Sequence, residues 1–97
     1  MIKKTELNRI KRIIVPILRK NNVIKAGIFG SYARGKQKKG SDVDILIKFK
    51  GDVSLLKIIG IEYELKEKIG KKVDLITYRS LHPLLKDRIL REEVRIL

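Results

Sequence analysis

Residues 28–44 read IFGSYARGKQKKGSDVD, and this stretch predicts how the rest of the chain is arranged. It indicates the end of a strand, a Gly-Ser turn into a short helix, a basic loop, and a new strand that opens with two acids. The apolar residues Ile45, Leu46 and Ile47 follow directly, so the acids belong to an apolar strand. Aspartate is depleted in strands. A residue that breaks such a local preference often belongs to a functional site.

The composition describes a small globular protein. The chain has 97 residues, of which 43% are hydrophobic, and we expect one domain spanning residues 1–97. It has no cysteine, which excludes disulfides and thiolate metal sites. No apolar run approaches the ~20 residues of a membrane span, and the amino terminus lacks the apolar core of a signal peptide. We therefore expect a cytoplasmic protein without membrane contact.

The net charge of +13 has two interpretations. It indicates an anionic partner, such as a nucleotide, a nucleic acid or an acidic protein. It is equally typical of a lysine-rich surface in a heat-adapted protein, and the composition leaves both open. The chain has three Tyr, two Phe and no Trp, without the alternation of basic and aromatic residues that stacks bases. We do not expect direct binding of nucleic acid.

Hydrophobic periodicity predicts the order α-β-turn-β-α-β-α. The predicted helices cover 4–20, about 53–69 and a segment capped by Ser80, and the predicted strands cover 23–29, 42–49 and 72–78. We expect a kink or a break at Pro16 and a close backbone approach at Gly27. Residues 94–97 fit either the last helix or a short edge strand. The order predicts an α/β fold with a mixed sheet of three to four strands and helices packed on it.

The side chains of the second long helix divide into two predicted faces. We expect Leu55, Ile58, Ile59, Leu65 and Ile69 to face the core. On the outer face, Glu62 with Lys66 and Glu64 with Lys68 have the spacing of stabilising ion pairs. Gly70 follows the helix as its C-cap.

Three aspartates are predicted to lie together. Asp42 and Asp44 are two residues apart on a strand, so their side chains leave the same face. Two carboxylates at that spacing repel each other unless a cation lies between them, and Mg²⁺ prefers oxygen ligands. Asp74 occupies the start of the third strand, and the intervening helix predicts that this strand runs parallel to the second. The early residues of parallel strands are neighbours, so Asp74 joins the pair.

Gly30 and Ser31 precede the acids by one short hairpin. Glycine allows a phosphate to approach the backbone, serine offers a hydroxyl, and the start of the next helix adds free amides. Alone, this pair is more often a plain helix cap. Together with three aspartates it indicates a phosphate site.

The two motifs together resemble a known signature. Gly-Ser-Tyr-Ala-Arg-Gly at 30–35, a spacer, and Ser-Asp-Val-Asp-Ile-Leu-Ile at 41–47 are similar to the motif of nucleotidyltransferases related to DNA polymerase β. The length resembles that of the minimal nucleotidyltransferases (MNT), the antitoxins of HEPN/MNT toxin–antitoxin pairs. The resemblance extends over nearly the whole chain.

The resemblance implies transfer of a nucleoside monophosphate with two Mg²⁺ ions, and ATP as the substrate. By position, Gly30 and Ser31 would hold the triphosphate, and Arg34 could contact it or remain solvated. Asp42 and Asp44 would bind both metal ions. Asp74 would complete the second metal site and help to activate the attacking hydroxyl. We also considered Tyr32 and Tyr78 as side chains that flank the nucleotide.

The acceptor is left open by the sequence. The resemblance implies AMP transfer to a tyrosine of a HEPN-family ribonuclease, which would silence this toxin. Two alternatives are an antitoxin that blocks its partner by contact alone and a small-molecule adenylyltransferase of the antibiotic-modifying type. The intact set of three carboxylates favours turnover. Homo-oligomers and hetero-oligomers both remain possible.

Overall fold

The computed structural model describes residues 2–97, with side chains from Glu6 onward. The elements are α1 (Ile2–Lys20), β1 (Val23–Phe29), α2 (Gly30–Ala33), β2 (Val43–Phe49), α3 (Leu55–Ile69), β3 (Val73–Thr77), α4 (Pro83–Glu92) and β4 (Val94–Arg95). A 3₁₀ turn, Tyr78–Ser80, connects β3 to α4. The predicted α/β class, the strand β1 and the edge strand near the carboxyl terminus are confirmed.

The four strands form one mixed sheet in the order β3-β2-β1-β4. Strand β1 pairs antiparallel with β2 and with β4, whereas β2 and β3 are parallel. Helix α3 is the crossover between the parallel strands. This arrangement confirms the predicted direction of β3, and it brings the first residues of β2 and β3 to the same end of the sheet.

The core lies between one face of the sheet and the helices α1 and α3. Alternate residues of β2 point into this core, and Val43, Ile45 and Ile47 are fully buried there. Helix α1 presents its own buried stripe at helical spacing. The largest fully buried side chains are Ile10, Ile14, Leu18, Ile28, Val43, Ile45, Leu46, Ile47 and Leu65. This layer fixes the sheet and leaves the opposite face to carry the site.

The second face of the sheet has little apolar cover. Leu46 is buried there but lies outside the main core cluster. Helix α4 approaches this face, contacting β1 and α2. No residue of α4 is buried. The face of β2 and β3 that carries the acids is therefore only lightly covered by other side chains.

Helix α1 continues through Pro16, so the predicted break is wrong. Proline removes one hydrogen bond and pushes away the carbonyl four residues earlier, which belongs to Arg12. Both Pro16 and Arg12 are exposed, so water can bind that carbonyl. Ile14, Ile17 and Leu18 are buried around the proline and hold the helix against the sheet.

The predicted faces of α3 are partly wrong. Leu65 and Ile69 are buried as expected, together with Ile61, but Leu55 is 71% exposed and Ile59 is 38% exposed. Ile58 is partly buried and packs against the core, as predicted, so the first turns of α3 expose only part of their apolar surface. Gly70 is in the left-handed region (φ 76°) and closes the helix, as predicted.

The two predicted ion pairs of α3 are replaced by tertiary contacts. Glu62 accepts a hydrogen bond from the backbone amide of Leu75 at 2.8 Å, and Glu64 pairs with Lys20. The acidic side of α3 thus faces β3 and α1 rather than solvent. A contact across the fold outcompetes a pairing within one helix, because a local pair on an exposed helix contributes only about 0.2–0.5 kcal/mol.

The start of α4 also differs from prediction. His82, and not Ser80, caps this helix, and its Nδ1 accepts from the amide of Leu84 at 3.1 Å. The Ser80 hydroxyl bonds that of Thr77 at 2.7 Å instead. Within residues 2–97, no helix is both long enough and apolar enough to cross a membrane.

Candidate active site

The parallel pairing of β2 and β3 places two predicted carboxylates side by side. Asp44 and Asp74 are register partners, so their side chains leave the same face of the sheet. Asp42 lies two residues before Asp44, immediately ahead of β2. Asp44 is half-buried, whereas Asp74 is exposed. The fold therefore assembles the acids that the sequence selected.

Their mutual repulsion is visible in the protonation of Asp44. The pKa of Asp44 is raised from 3.8 to about 6. Burial is the largest cause, and the charges of Asp74 and then Asp42 add to it. The guanidinium of Arg34 acts in the opposite direction and lowers this pKa. A carboxylate that is hard to ionise in the free protein is one that gains most from a bound cation.

The donor set fits a hard cation that a nucleotide helps to bind. In the part of the chain with described side chains, no three acidic or imidazole groups are close enough to form a ready metal site. Mg²⁺ is commonly held by one or two carboxylates together with substrate phosphates. Asp42, Asp44 and Asp74 would supply the oxygen ligands for such a shared site.

Gly30 brings the turn directly over the acids. Its φ of +73° lies in the left-handed region, where a side chain is strained. A Cβ atom at Gly30 would also collide with Oδ2 of Asp44 and lie 3.2 Å from its Cγ. Phe29, the residue before it, is the register partner of Asp44. Glycine is thus required both for the turn and for its contact with the carboxylate.

Ser31 lies in the first turn of α2 and is partly exposed. The capping residue Phe29 makes no side-chain hydrogen bond to this helix. The N-cap position therefore offers no side-chain acceptor to the amides at the start of α2. Gly30, the first residue of α2, lies against the carboxylate of Asp44. The phosphate-binding role of Gly30 and Ser31 stays a prediction.

Arg34 links the turn to the far end of the chain. Its Nη1 donates to Oε2 of Glu92 at 3.1 Å, across a sequence separation of 58 residues. Because Arg34 also lowers the pKa of Asp44, its guanidinium lies within electrostatic reach of both carboxylates. Sequence analysis missed Glu92, since no local pattern connects it to the motif.

The two tyrosines do not flank the site, and that prediction is wrong. Tyr32 is only 2% exposed and belongs to the core. Tyr78 lies beyond the carboxyl end of β3, at the opposite end of the strand from Asp74, and its hydroxyl donates to Glu93. Burial and this hydrogen bond raise the pKa of Tyr78.

The predicted close approach at Gly27 is confirmed, and its cause is Glu93. A Cβ atom at Gly27 would overlap the carboxylate of Glu93. Gly27 pairs with Leu46, two residues from Asp44, so Glu93 lies on the face of the sheet that carries the acids. Glu92 and Glu93 together attach the end of α4 to this face.

Comparison with known proteins agrees with this geometry. The family model described as nucleotidyltransferase domain matches residues 10–96. "Putative protein adenylyltransferase MJ0435" of Methanocaldococcus jannaschii is 57% identical over 91 residues, which cover 94% of this chain and 98% of the relative. Protein adenylyltransferase MntA of Thermococcus cleftensis is 45% identical, over 76% of this chain and 75% of its own length.

Solved structures have the same fold. One described as a "putative minimal nucleotidyltransferase" superposes with a TM-score of 0.81 at 28% identity, covering 95% of this chain and 93% of the other. A mutant of the toxin–antitoxin complex MntA–HpeT gives a TM-score of 0.73 at 25% identity, covering 84% of this chain and 67% of the other.

These matches extend over most of the chain and include the turn and all three acids. The chain belongs to the nucleotidyltransferase domain family, and it is a nucleotidyltransferase. Its curated relatives carry the name protein adenylyltransferase. The resemblance seen in the two sequence motifs is confirmed.

Proposed function

We propose that this protein transfers AMP from ATP to a tyrosine of a HEPN-family ribonuclease, and that it acts as the antitoxin of this toxin. The names of its relatives support adenylyl transfer to a protein. The toxin–antitoxin complex of a structural neighbour supports a protein partner. The tyrosine acceptor comes from the resemblance to minimal nucleotidyltransferases.

The observation that carries the proposal is the register of Asp44 with Asp74, directly beneath the turn at Gly30. A triphosphate held at Gly30 and Ser31 would lie next to the carboxylates. Arg34 would contribute positive charge on the adjacent side. The polyanion is thus bound by the turn and the guanidinium, while the acids face its reacting end.

The carboxylates would hold two Mg²⁺ ions. Asp42 and Asp44 would contact both ions, and Asp74 would complete the second site. When bound, the ions would stabilise the charge on the entering and leaving oxygens at the α-phosphate. The raised pKa of Asp44 supports this assignment, because burial and then the charges of Asp74 and Asp42 disfavour its ionised form, and a bound cation would offset these effects.

The reaction balances with the groups named. The tyrosine oxygen forms a bond to the α-phosphorus, and the bond from that phosphorus to the bridging oxygen of the β-phosphate breaks. Diphosphate leaves with the bonding electrons. The phenolic proton passes to the Asp74 carboxylate, which is exposed and can release it to water.

The test mixes this protein, a HEPN-family protein encoded beside it, ATP and Mg²⁺, and then determines the intact mass of the neighbour. We expect an added mass of one or more AMP units. The matched control is Glu67→Gln on the exposed surface of α3, which should transfer normally, whereas Asp44→Asn should not transfer. Transfer that persists in excess chelator would refute the metal-dependent mechanism.

The same experiment distinguishes an antitoxin that acts by contact. Helix α4 has no buried residue, and it exposes Leu84 to 86% and Leu85 to 44%. A surface of this kind suits docking of a partner through residues 81–97. If the neighbour keeps its mass but the Asp44→Asn protein still suppresses its ribonuclease activity, inhibition by contact is the function.

A further inference from the structure

A concave region lies at the carboxyl ends of β2 and β3, away from the acids. It is an open groove of about 950 Å³ between α4 and the start of α3. Phe49 lines it from β2, Val53 and Ile58 from the α3 side, and Leu81 and Leu90 from the α4 side. We call it the basic groove because of the side chains described next.

Four cationic side chains line the basic groove: Lys25, Lys48, Arg79 and Lys86. The one acid among the lining residues is Asp52, which is fully exposed and lies 3.8 Å from Arg79. The groove thus has an excess of three positive charges over negative ones. The groove is distinct from the candidate active site, since neither Arg34 nor the three aspartates line it.

The fold leaves this charge largely uncompensated. Lys25 and Lys48 are direct partners across the antiparallel pair of β1 and β2, an arrangement that is destabilising for like charges. The ammonium of Lys25 lies 4.5 Å above the ring of Tyr78. Within residues 6–97, no acidic side chain forms a salt bridge with Lys25, Lys48 or Lys86. An anionic occupant would remove this repulsion.

The helices on either side of the groove expose leucines. Leu55 and Leu56, at the start of α3, are 71% and 80% exposed, and Leu84 on α4 is 86% exposed. These three lie outside the groove, whereas Leu81 and Leu90 line it. An amphipathic helix normally buries its apolar stripe. Helix α4 buries no residue, so its stripe lacks a partner within the described chain. Leucines around a cationic centre are suited to a protein surface with both acidic and apolar side chains.

We propose that the basic groove, with the apolar side chains that line it, is the docking surface for an acidic face of the protein that accepts AMP. This inference rests on the proposed function, and it specifies where the acceptor binds. A second copy of this chain is disfavoured because each copy carries a net charge of +13. Nucleic acid is disfavoured because its interfaces are strongly polar, whereas Phe49, Leu81 and Leu90 make part of this groove apolar.

The groove and the acids lie toward opposite ends of β3. Thr77 lines the groove and follows Asp74 by three residues along β3, which corresponds to about 10 Å. A partner docked in the groove would therefore extend about 10 Å along the sheet to bring its acceptor side chain to the carboxylates. Few side chains of this protein cover the sheet face that carries the acids. The bound partner would therefore cover that face and complete the site that binds the acceptor side chain.

The test is charge reversal in the groove, measured as binding of the HEPN-family acceptor by calorimetry. The groove variant is Lys48→Glu with Arg79→Glu, and the control is Lys11→Glu with Arg12→Glu on exposed α1. Both variants change the net charge equally. We expect the groove variant to raise the Kd at least about tenfold, and the control to change it less than about threefold.

Several outcomes would overturn the proposal. Equal weakening by both variants would mean that only net charge matters, and an unchanged Kd for the groove variant would exclude the groove. Absence of any complex with the wild-type protein would also refute docking. Self-association, or binding of a single-stranded RNA oligonucleotide, that disappears in the groove variant would identify a different occupant.

The proposed function can fail separately. If the acceptor gains no AMP but its binding still depends on the groove, the docking surface stands and the transfer is refuted. If the acceptor gains AMP while groove reversal leaves the Kd unchanged, the transfer stands and the docking surface is refuted. The neutral variant Leu90→Ala, in the lining of the groove, should weaken binding at every salt concentration, because its contribution is apolar.

Discussion

Replacing Asp44 with asparagine should stabilise the metal-free protein while it abolishes transfer. Burial and the charges of Asp74 and Asp42 raise the pKa of Asp44 to about 6, so ionising this group at neutral pH costs folding free energy. Asparagine keeps the shape and removes the charge. We therefore expect the ionised Asp44 carboxylate to lower the folding stability of the metal-free protein.

The magnitude follows from the shift of the pKa. A rise from 3.8 to about 6 corresponds to an upper limit of about 3 kcal/mol, at about 1.4 kcal/mol for each pKa unit. Asp44 is only half-buried, and solvent screening reduces this figure to about 1 kcal/mol. In a protein of this size, such a gain raises the Tm by about 4–8 °C.

The sign of the pH dependence is fixed by the direction of the shift. Between pH 4 and 6 the folded protein binds more protons at Asp44 than the unfolded chain, so wild-type stability falls as the pH rises through this range. The advantage of Asp44→Asn is therefore small at pH 4 and complete above pH 6.

The assay is urea denaturation in chelator at pH 4.5 and pH 7.5. The control is Asp87→Asn on the exposed surface of α4, which should change stability by less than about 0.5 kcal/mol at both pH values. A gain for Asp44→Asn that does not depend on pH, or a loss of stability at pH 7.5, would refute the reasoning.

Four further substitutions test the turn and the contacts made by the end of α4. Gly30→Val should abolish ATP binding through strain and collision, whereas Ser31→Ala should cost about 0.5–1.5 kcal/mol, and equal small effects in nucleotide titrations would contradict the phosphate site. Gly27→Ala should destabilise the fold by about 1–3 kcal/mol in urea denaturation, because it displaces the carboxylate above it, and an unchanged midpoint would contradict this. Glu92→Gln should tighten ATP binding up to about fivefold by releasing Arg34, since an exposed ion pair contributes about 0–1 kcal/mol; weaker binding would show instead that Glu92 positions Arg34.

Much of the site could be predicted because its determinants are local. The strand β1 matches the predicted 23–29, since its boundaries are marked by Asn22 and Gly30. The neighbouring positions of Asp44 and Asp74 followed from the helix between their strands, which requires a parallel crossover. The need for glycine at position 30 was also readable from the turn that joins strand to helix.

The remaining features depend on tertiary contacts that no local pattern encodes. Leu55 has the spacing of a core residue, but its side chain is 71% exposed because no other element of the described chain covers it. Tyr32 lies in the nucleotide motif, yet packing buries it. The bonds from Arg34 to Glu92 and from Tyr78 to Glu93 join segments that are distant in sequence, so periodicity could not predict them.

The basic groove is another feature that the sequence alone could not predict. Lys25 and Lys48 each look like ordinary exposed strand residues, and only the register of β1 with β2 makes them neighbours. A net charge of +13 is compatible with a heat-adapted surface as well as with an anionic partner. The clustering of unpaired lysines in one groove favours a partner, which composition alone could not indicate.

The most direct test of the central claim is to map AMP on the partner by fragment-ion mass spectrometry after incubation with ATP and Mg²⁺. The account predicts AMP joined to a tyrosine oxygen by a phosphodiester when the wild-type protein or Glu67→Gln is present, and no AMP with Asp44→Asn or with chelator. AMP on another type of side chain, or transfer that survives Asp44→Asn, would contradict it.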